Sequence, residues 1–126
     1  MTQHAFFYPA APQLPFSSAV RAGGFLFLSG QIPFDSNLKP HTGPIEEQSH
    51  AVLKSIGRAL EDLGSSLDYI VKVTVWLSDL NDFAAFNEVY RGYFNSQRLP
   101  VRSLVQAQLA FGVGVEIEVQ AVDVNA

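Results

Sequence analysis

Charged side chains stand among apolar ones in two stretches near the end of the chain. Arg102 lies in the run PVRSLVQA, and Glu116 and Glu118 lie in the run VEIEVQAV. A guanidinium binds a carboxylate through two parallel hydrogen bonds, and a carboxylate in a sheltered site acts as a general base. Charged groups within strands also form structural ion pairs, and periodicity alone favours an ion pair over a binding site. Both interpretations stay open at the level of the residues.

The other residue types that commonly carry chemistry form no recognisable site. His4, His41 and His50 are scattered, whereas a metal site needs several converging ligands, so surface positions are predicted for all three and no metal is expected. Gly112 and Gly114 resemble part of a phosphate-binding loop, but no helix follows them. The chain has no cysteine, which excludes disulfide bonds and thiol nucleophiles. We therefore expect chemistry without a metal or a cofactor.

The composition predicts a single domain, residues 1–126, that covers part of its surface with another subunit. Only 16% of the residues are charged, against about 25% in an ordinary soluble domain. The net charge of −4 leaves no basic stripe for binding nucleic acid through its phosphates. The N-terminal stretch lacks the pattern of a signal peptide, and every apolar run is shorter than the roughly 18 residues of a membrane span. We therefore expect a cytoplasmic protein that contacts neither nucleic acid nor membrane.

Two helices are predicted from apolar residues at helical spacing. One extends from Ile45 to Leu63, with Pro44 suited to its first turn and Gly64 suited to its C-terminal cap. A second helix follows Asp79 or Asn81, either of which can cap it. We expect the aromatic stripe of this second helix to pack against a sheet rather than to bind a cofactor. Its members are Phe83, Phe86, Tyr90, Tyr93 and Phe94.

Five strands are predicted around these helices. SSAVRA and FLFLSGQI are joined by a turn at Gly23 and Gly24, YIVKVTVWLSD lies between the helices, and VRSLVQAQL and VGVEIEVQAV end the chain. In the middle strand, Val71 is assigned to the face of Val73, and Ile70 to the opposite face with Trp76. The order is that of an α+β fold with two helices on one face of a sheet. The other face, apolar with polar margins, is predicted to be an oligomer interface.

Several stretches together carry a resemblance to a known family. They are PFSSAVRAGGFLFLSGQIP, IEEQ, IVKVTVWLSDLNDFAAFNEVY, YF, LPVRS and VEIEVQAV, which occur in family order and spacing from Phe16 to Val122. The chain resembles the reactive-intermediate deaminases, the RidA group of the YjgF family. The resemblance implies a chorismate-mutase-like α+β fold with a mixed sheet. It also implies a homotrimer in which the sheets line a central β-barrel and three clefts lie between neighbouring subunits.

The resemblance also implies an activity and a set of site residues. The activity is hydrolysis of enamines and imines, such as 2-aminoacrylate, 2-iminobutanoate and 2-iminopropanoate, to 2-oxo acids and ammonia without a cofactor. The family arginine that holds the substrate carboxylate falls on Arg102, and the glutamate that orients water falls on Glu116. Glu118 is expected near the trimer axis or in a salt bridge. Substrate-binding positions fall on Phe16, Ser29, Gly30, Gln31, Asn87 and Leu104, the last through its backbone.

Two departures from the family pattern leave alternatives open. Phe16 stands where the family has a tyrosine, so one hydroxyl is missing, and LAFG replaces the usual LP turn. A non-catalytic trimer that binds small carboxylates for regulation is one alternative. Another is a pathway-specific deaminase acting on 2-aminomuconate or aminoacrylates. A chaperone-like or ribonuclease role is a further one, which the acidic balance does not support. For Gln31 a structural hydrogen bond is slightly favoured over substrate contact.

Overall fold

The structure is a computed structural model that describes residues 4–126. Across this range the chain forms one sheet of six strands and two α-helices. The elements are β1 (Phe6–Pro9), β2 (Ser17–Ala22), β3 (Phe25–Leu28), α1 (Ile45–Asp62), β4 (Ile70–Leu77), α2 (Phe83–Arg91), β5 (Val101–Gln106) and β6 (Val115–Val122).

The sheet is mixed, with the strand order β1-β2-β3-β6-β4-β5. Neighbouring strands are antiparallel except β4 and β5, which run parallel. The last two strands of the chain are therefore not neighbours, because β4 lies between them. Both helices contribute to the core on one face of the sheet, as the sequence predicts for an α+β fold.

Helix α1 buries the apolar stripe that its spacing predicts. Its fully buried members include Val52, Leu53, Ile56 and Leu60. The helix ends where Gly64 adopts a φ of +81°, a left-handed conformation that glycine tolerates without a Cβ penalty. The amide of Ser65 donates to Leu60 O at 2.8 Å and that of Gly64 to Glu61 O at 3.0 Å, which satisfies the last carbonyls.

Helix α2 is shorter than its aromatic stripe. Phe86 and Tyr90 are buried as predicted, but Phe83 is 44% exposed, and Tyr93 and Phe94 lie beyond the end of the helix at Arg91. The predicted cap is displaced as well, because the Asp79 side chain accepts from the Asn81 amide in a 3-10 turn that precedes α2. Within residues 4–126, neither helix is long and apolar enough to cross a membrane.

The strands differ from the sequence prediction in two places. Strand β1 was not predicted, since a four-residue segment ending in Pro9 differs little from any extended segment, and only pairing with β2 defines it. The register between β4 and β6 shifts between Ile70 and Lys72. This irregularity turns Ile70 into the core and leaves Val71 39% exposed, the reverse of the alternation that the sequence predicts.

The face of the sheet opposite the helices is half-exposed in the single chain. Phe25 and Phe27 are each 39% exposed on it, beside the partly buried Trp76, Glu116 and Glu118. The two carboxylates lie on β6, between β3 and β4, so they stand within this surface and not at the margins that the sequence predicts for them. An exposed apolar surface is typical of an interaction site. The predicted oligomer interface therefore has a corresponding surface in the structure.

Arg21 ties together three parts of the chain that are distant in sequence. Its guanidinium forms an ion pair with Asp123 after β6, donates to the carbonyl of Leu63 after α1 at 2.8 Å, and donates to the Tyr8 hydroxyl of β1 at 3.1 Å. The side chain of Asp123 is only 3% exposed. Hydrogen bonding from Arg21 lowers the pKa of Asp123, so the carboxylate is stabilised in its charged form.

We expect Arg21→Leu to lower the free energy of unfolding by about 3 kcal/mol, because it leaves a buried carboxylate without its partner. Arg91→Leu is the control, since its ion pair with Glu88 is exposed and such a pair contributes under about 1 kcal/mol. Urea unfolding at one protein concentration measures both variants. Because the pKa of Asp123 is lowered in the folded state, the Arg21 contribution is present above pH 3.8, the ordinary Asp value, and decreases as the pH falls below it. Equal losses in the two variants would contradict this assignment.

Candidate functional site

Arg102 points towards the helices and not into the half-exposed face. It lies opposite Val73 of β4, a fully buried core residue, so its side chain leaves the sheet on the helix-covered side. The guanidinium carbon lies 4.8 Å from the ring centre of Tyr90 and 5.9 Å from that of Phe86. Aromatic faces attract cations at such distances, so α2 holds the guanidinium by its rings.

The ion pair considered for Arg102 from the sequence is absent. Among residues 4–126, ion pairs join Arg21 with Asp123, His41 with Glu47 and Arg91 with Glu88, and none includes Arg102. Rings attract the guanidinium without neutralising its charge or occupying all of its donors. The group therefore remains available to an anion from outside this chain.

A small cavity opens beside this guanidinium, and we call it the arginine cavity. Its volume is about 270 Å³, and its lining residues are Asn87, Tyr90, Arg91, Leu99, Pro100 and Arg102. Two residues predicted from the sequence, Asn87 and Arg102, are thus brought together from α2 and β5. Leu104 lies on the same face two residues along β5 and packs against the core. A larger depression of about 670 Å³ follows β5 and contains none of the predicted residues.

Glu116 lies on the opposite face of the sheet, on β6. It pairs in register with Trp76 of β4, and its side chain is partly buried. Gly30 approaches it so closely that a Cβ at this position would collide with Oε2 of Glu116. A side chain at position 30 would therefore displace the Glu116 carboxylate from this place.

Gly30 contacts this carboxylate, and two further predicted residues are linked to Gly30, Ser29 as its chain neighbour and Phe16 through the residue that Ser29 bonds. We call Phe16, Ser29, Gly30 and Glu116 the glutamate group. The Ser29 hydroxyl donates to the carbonyl of Ser17 at 2.6 Å, which joins the end of β3 to the residue after Phe16. Phe16 itself is 52% exposed. The group is therefore assembled by the β2–β3 hairpin and by the first residues of β6.

Gln31 has a structural place beside the glutamate group. Its amide donates to Ile117 O at 2.8 Å and its carbonyl accepts from Ile117 N at 3.0 Å. Its side-chain Oε1 accepts from the Ser55 hydroxyl of α1 at 2.9 Å. This is the structural hydrogen bond that the sequence favours for Gln31, and it directs the side-chain oxygen to α1 and away from the Glu116 face.

The electrostatic environment favours a protonatable Glu116. Burial raises the pKa of this carboxyl above its ordinary value, and the neighbouring charge of Glu118 raises it further. Glu118 occupies the same face two residues along β6 and pairs in register with Thr74. The salt bridge considered for Glu118 is not found among residues 4–126. A carboxyl with a raised pKa is a stronger base once it ionises, which suits proton transfer near neutral pH.

The arginine cavity and the glutamate group do not meet within one chain. Strand β4 separates them laterally, and Arg102 and Glu116 leave the sheet on opposite faces. Sequence periodicity assigns a residue to a face only relative to its own strand, so it cannot reveal this separation. Tyr90 was predicted as a packing residue, and nothing in the sequence distinguishes it from Phe86.

The histidines take no part in either group of residues. His41 pairs with Glu47 at 3.6 Å, and the ring of His50 contacts the Tyr93 hydroxyl at 2.6 Å. Across residues 4–126, no three metal-binding side chains of the His, Cys, Asp and Glu types are close enough to hold a metal ion.

Comparisons with known proteins agree on one family. The family model described as Endoribonuclease L-PSP matches residues 8–123. A RutC family protein of Pyrococcus abyssi is 42% identical and covers 94% of this chain and 95% of its own. The mitochondrial protein MMF1 of Saccharomyces cerevisiae is 42% identical over 93% of this chain and 79% of its own. A YjgF family crystal structure from Neisseria meningitidis has a TM-score of 0.84 at 32% identity and covers 98% of both chains. With this sequence and fold, the chain belongs to the RidA/YjgF family.

Proposed function

We propose that this protein hydrolyses small 2-imino acids and their enamine tautomers to 2-oxo acids and ammonia. One observation carries the proposal: the Arg102 guanidinium lines a small cavity with no carboxylate partner among residues 4–126. A guanidinium in that condition binds a ligand carboxylate in bidentate fashion. The raised pKa of Glu116 supplies the second requirement, a base for activating water.

The proposed reaction takes place between subunits of a homotrimer. Arg102 and Glu116 lie on opposite faces of one sheet, so a cleft containing both needs the arginine cavity of one subunit and the glutamate group of the next. A ring in which each subunit presents both surfaces closes by heterologous contacts. The exposed Phe25 and Phe27 supply apolar area for such an interface.

In the proposed mechanism, Arg102 positions the substrate and Glu116 moves the protons. The guanidinium binds the carboxylate and so presents the C=N carbon to water, which removes orientational freedom from the reaction. The water oxygen bonds to that carbon, the C=N electron pair moves to nitrogen, and Glu116 takes a proton from the water. Glu116 then returns a proton to the amine. Glu116 next takes the proton of the carbinolamine hydroxyl and passes it to the nitrogen, the C–N bond breaks as the C=O bond of the 2-oxo acid forms, and ammonia leaves.

A carboxylate-binding trimer without catalysis is the second candidate, and Phe16 is the observation that favours it. Phe16 brings no hydroxyl to the glutamate group, and such a donor contributes about 1 kcal/mol when it bonds substrate or water. Deaminases of 2-aminomuconate or other aminoacrylates would use the same arginine and glutamate. The family description also names an endoribonuclease. Against that activity stand the net charge of −4 and the carboxylates of the half-exposed face.

The cellular location remains a prediction from the sequence. The cytoplasm is the expected compartment, whereas the similar MMF1 of Saccharomyces cerevisiae is named a mitochondrial protein. Fractionation of cells that express the protein at its natural level distinguishes the two.

The direct test is a trapping assay. An amino-acid oxidase generates 2-iminobutanoate, semicarbazide traps the free imine, and an active deaminase lowers the yield of semicarbazone. We expect the wild type to lower the yield at catalytic concentration and Arg102→Ala to have about 10- to 100-fold less effect, because a charged hydrogen-bonded pair is lost. Arg58→Ala is the control, since Arg58 is exposed on α1 away from both groups of residues.

Two outcomes of the trapping assay would contradict the proposal, the first for Arg102 and the second for the deaminase activity. Undiminished turnover by Arg102→Ala would show that this arginine does not bind the substrate carboxylate. A wild type that binds 2-oxobutanoate in calorimetry yet leaves the trapped yield unchanged at stoichiometric concentration would identify the binding trimer instead.

Mixing two inactive variants tests the cleft between subunits. Arg102→Ala and Glu116→Gln subunits, unfolded together in equal amounts and refolded, form mixed trimers. Each cleft draws its arginine and its glutamate from different subunits, so about one quarter of the clefts regain both native residues in random assembly. We expect about that fraction of wild-type activity. Refolding each variant alone is the control, and a mixture as inactive as its components would reject a shared cleft.

The pH dependence of kcat/KM tests Glu116 as the base. Its ionised form is the active one, so activity rises with pH through the pKa of Glu116, and the raised pKa places this acidic limb above the ordinary value of 4.5. Glu118→Gln removes a charge that raises the pKa, so we expect the limb to shift to lower pH. The exposed Glu61→Gln should leave the limb in place. If the acidic limb of the kcat/KM profile stays at the same pH in Glu118→Gln, this assignment is contradicted.

A further inference from the structure

The hydroxyl of Tyr90 is buried without a hydrogen-bond partner. The residue is only 7% exposed, and its oxygen is the one side-chain polar atom within residues 4–126 that is buried and unpaired. More than nine in ten buried polar groups in proteins have a partner, because an unpaired one retains the cost of leaving water. The proposed mechanism assigns no role to this group.

The position of Tyr90 relates the hydroxyl to the arginine cavity. Tyr90 lines this cavity together with Arg102 and Asn87, and its ring lies 4.8 Å from the guanidinium carbon. Burial raises the pKa of Tyr90, and the Arg102 guanidinium opposes that effect through its charge and through a contact with the hydroxyl that is too long or too bent to be a regular hydrogen bond. The hydroxyl is therefore protonated at neutral pH, and its proton has no acceptor among the described residues.

We propose that the Tyr90 hydroxyl donates a hydrogen bond to the same ligand carboxylate that Arg102 binds. The proposal rests on the proposed function, which supplies the ligand class, a small 2-imino or 2-oxo acid. A carboxylate has about four acceptor sites, and a bidentate arginine uses two of them. A neutral donor next to the guanidinium takes one of the remaining sites without adding charge to the cavity.

The size of the cavity agrees with such a ligand. Its volume of about 270 Å³ lies below the range of roughly 300–1,000 Å³ that is usual for drug-sized ligands. Tyr90 is then a binding residue in two ways, since its ring holds the guanidinium and its hydroxyl contacts the carboxylate. Phe86, which contacts the same guanidinium, has only the first of these functions.

Calorimetric titration with 2-oxobutanoate tests the proposal without requiring turnover. The variant Tyr90→Phe keeps the ring beside Arg102 and removes only the hydroxyl. We expect its Kd to rise about 10- to 100-fold, the usual effect of losing one hydrogen bond to a charged group. Tyr93→Phe is the matched control, because its hydroxyl contacts His50 and does not line the arginine cavity. The control should bind as the wild type does, and Arg102→Lys should bind far more weakly.

Thermal unfolding of the same variants separates binding from structure. Because the Tyr90 hydroxyl has no protein partner, its removal should leave the midpoint unchanged or higher. A lower midpoint in Tyr90→Phe would show a structural role and overturn the proposal. Unchanged affinity in Tyr90→Phe with weak binding by Arg102→Lys would overturn the proposal and leave the arginine assignment standing. A wild type that binds no 2-oxobutanoate would overturn both.

Discussion

The alternation of side chains along β4 and its two neighbours determines where every charged group of the site lies. Val73 and Val75 face the helices, so the residues in register with them on β5, Arg102 and Leu104, face the helices too. Trp76 faces the other way, and Glu116, which is in register with it on β6, lies on that same face. The guanidinium and the carboxylate are thereby kept apart, by the sheet itself and by the strand between β5 and β6. Each is left available to a ligand.

Cation–aromatic contact makes the isolated arginine tolerable. A guanidinium beneath a helix would ordinarily need a carboxylate, because a buried charge without compensation costs several kcal/mol. Tyr90 and Phe86 attract it instead through their ring faces, and its half-buried position retains partial hydration. Arg21 differs, because its guanidinium is hydrogen-bonded to Asp123, Leu63 and Tyr8 and stabilises the fold.

The helices cover only one face of the sheet, and this also explains the low proportion of charged residues in the composition. The helices bury Val73, Val75 and their neighbours, whereas Phe25 and Phe27 remain 39% exposed. A lone domain would place charge on such a face. In the proposed trimer the partner subunit covers it, and the same contact brings the glutamate group to the arginine cavity. Assembly and catalysis would then depend on a single surface, so damage to the interface would remove the site along with the oligomer.

Local patterns in the sequence were sufficient to predict much of the fold of this protein. The α1 stripe, the glycine that ends α1 and the α+β order follow from periodicity and residue type, which act over a few neighbouring positions. The site roles expected of Arg102 and Glu116 come instead from the resemblance of the stretches around them to a known family. Strand β1, the irregularity that reverses Ile70 and Val71, and the place of β4 between β5 and β6 depend on pairing between distant segments. The separation of Arg102 from Glu116 follows from that pairing, and the unpaired hydroxyl of Tyr90 from the packing of α2 against the sheet. Only the tertiary structure decides them, because which strand lies beside which, and in what register, is set by burial across the whole sheet.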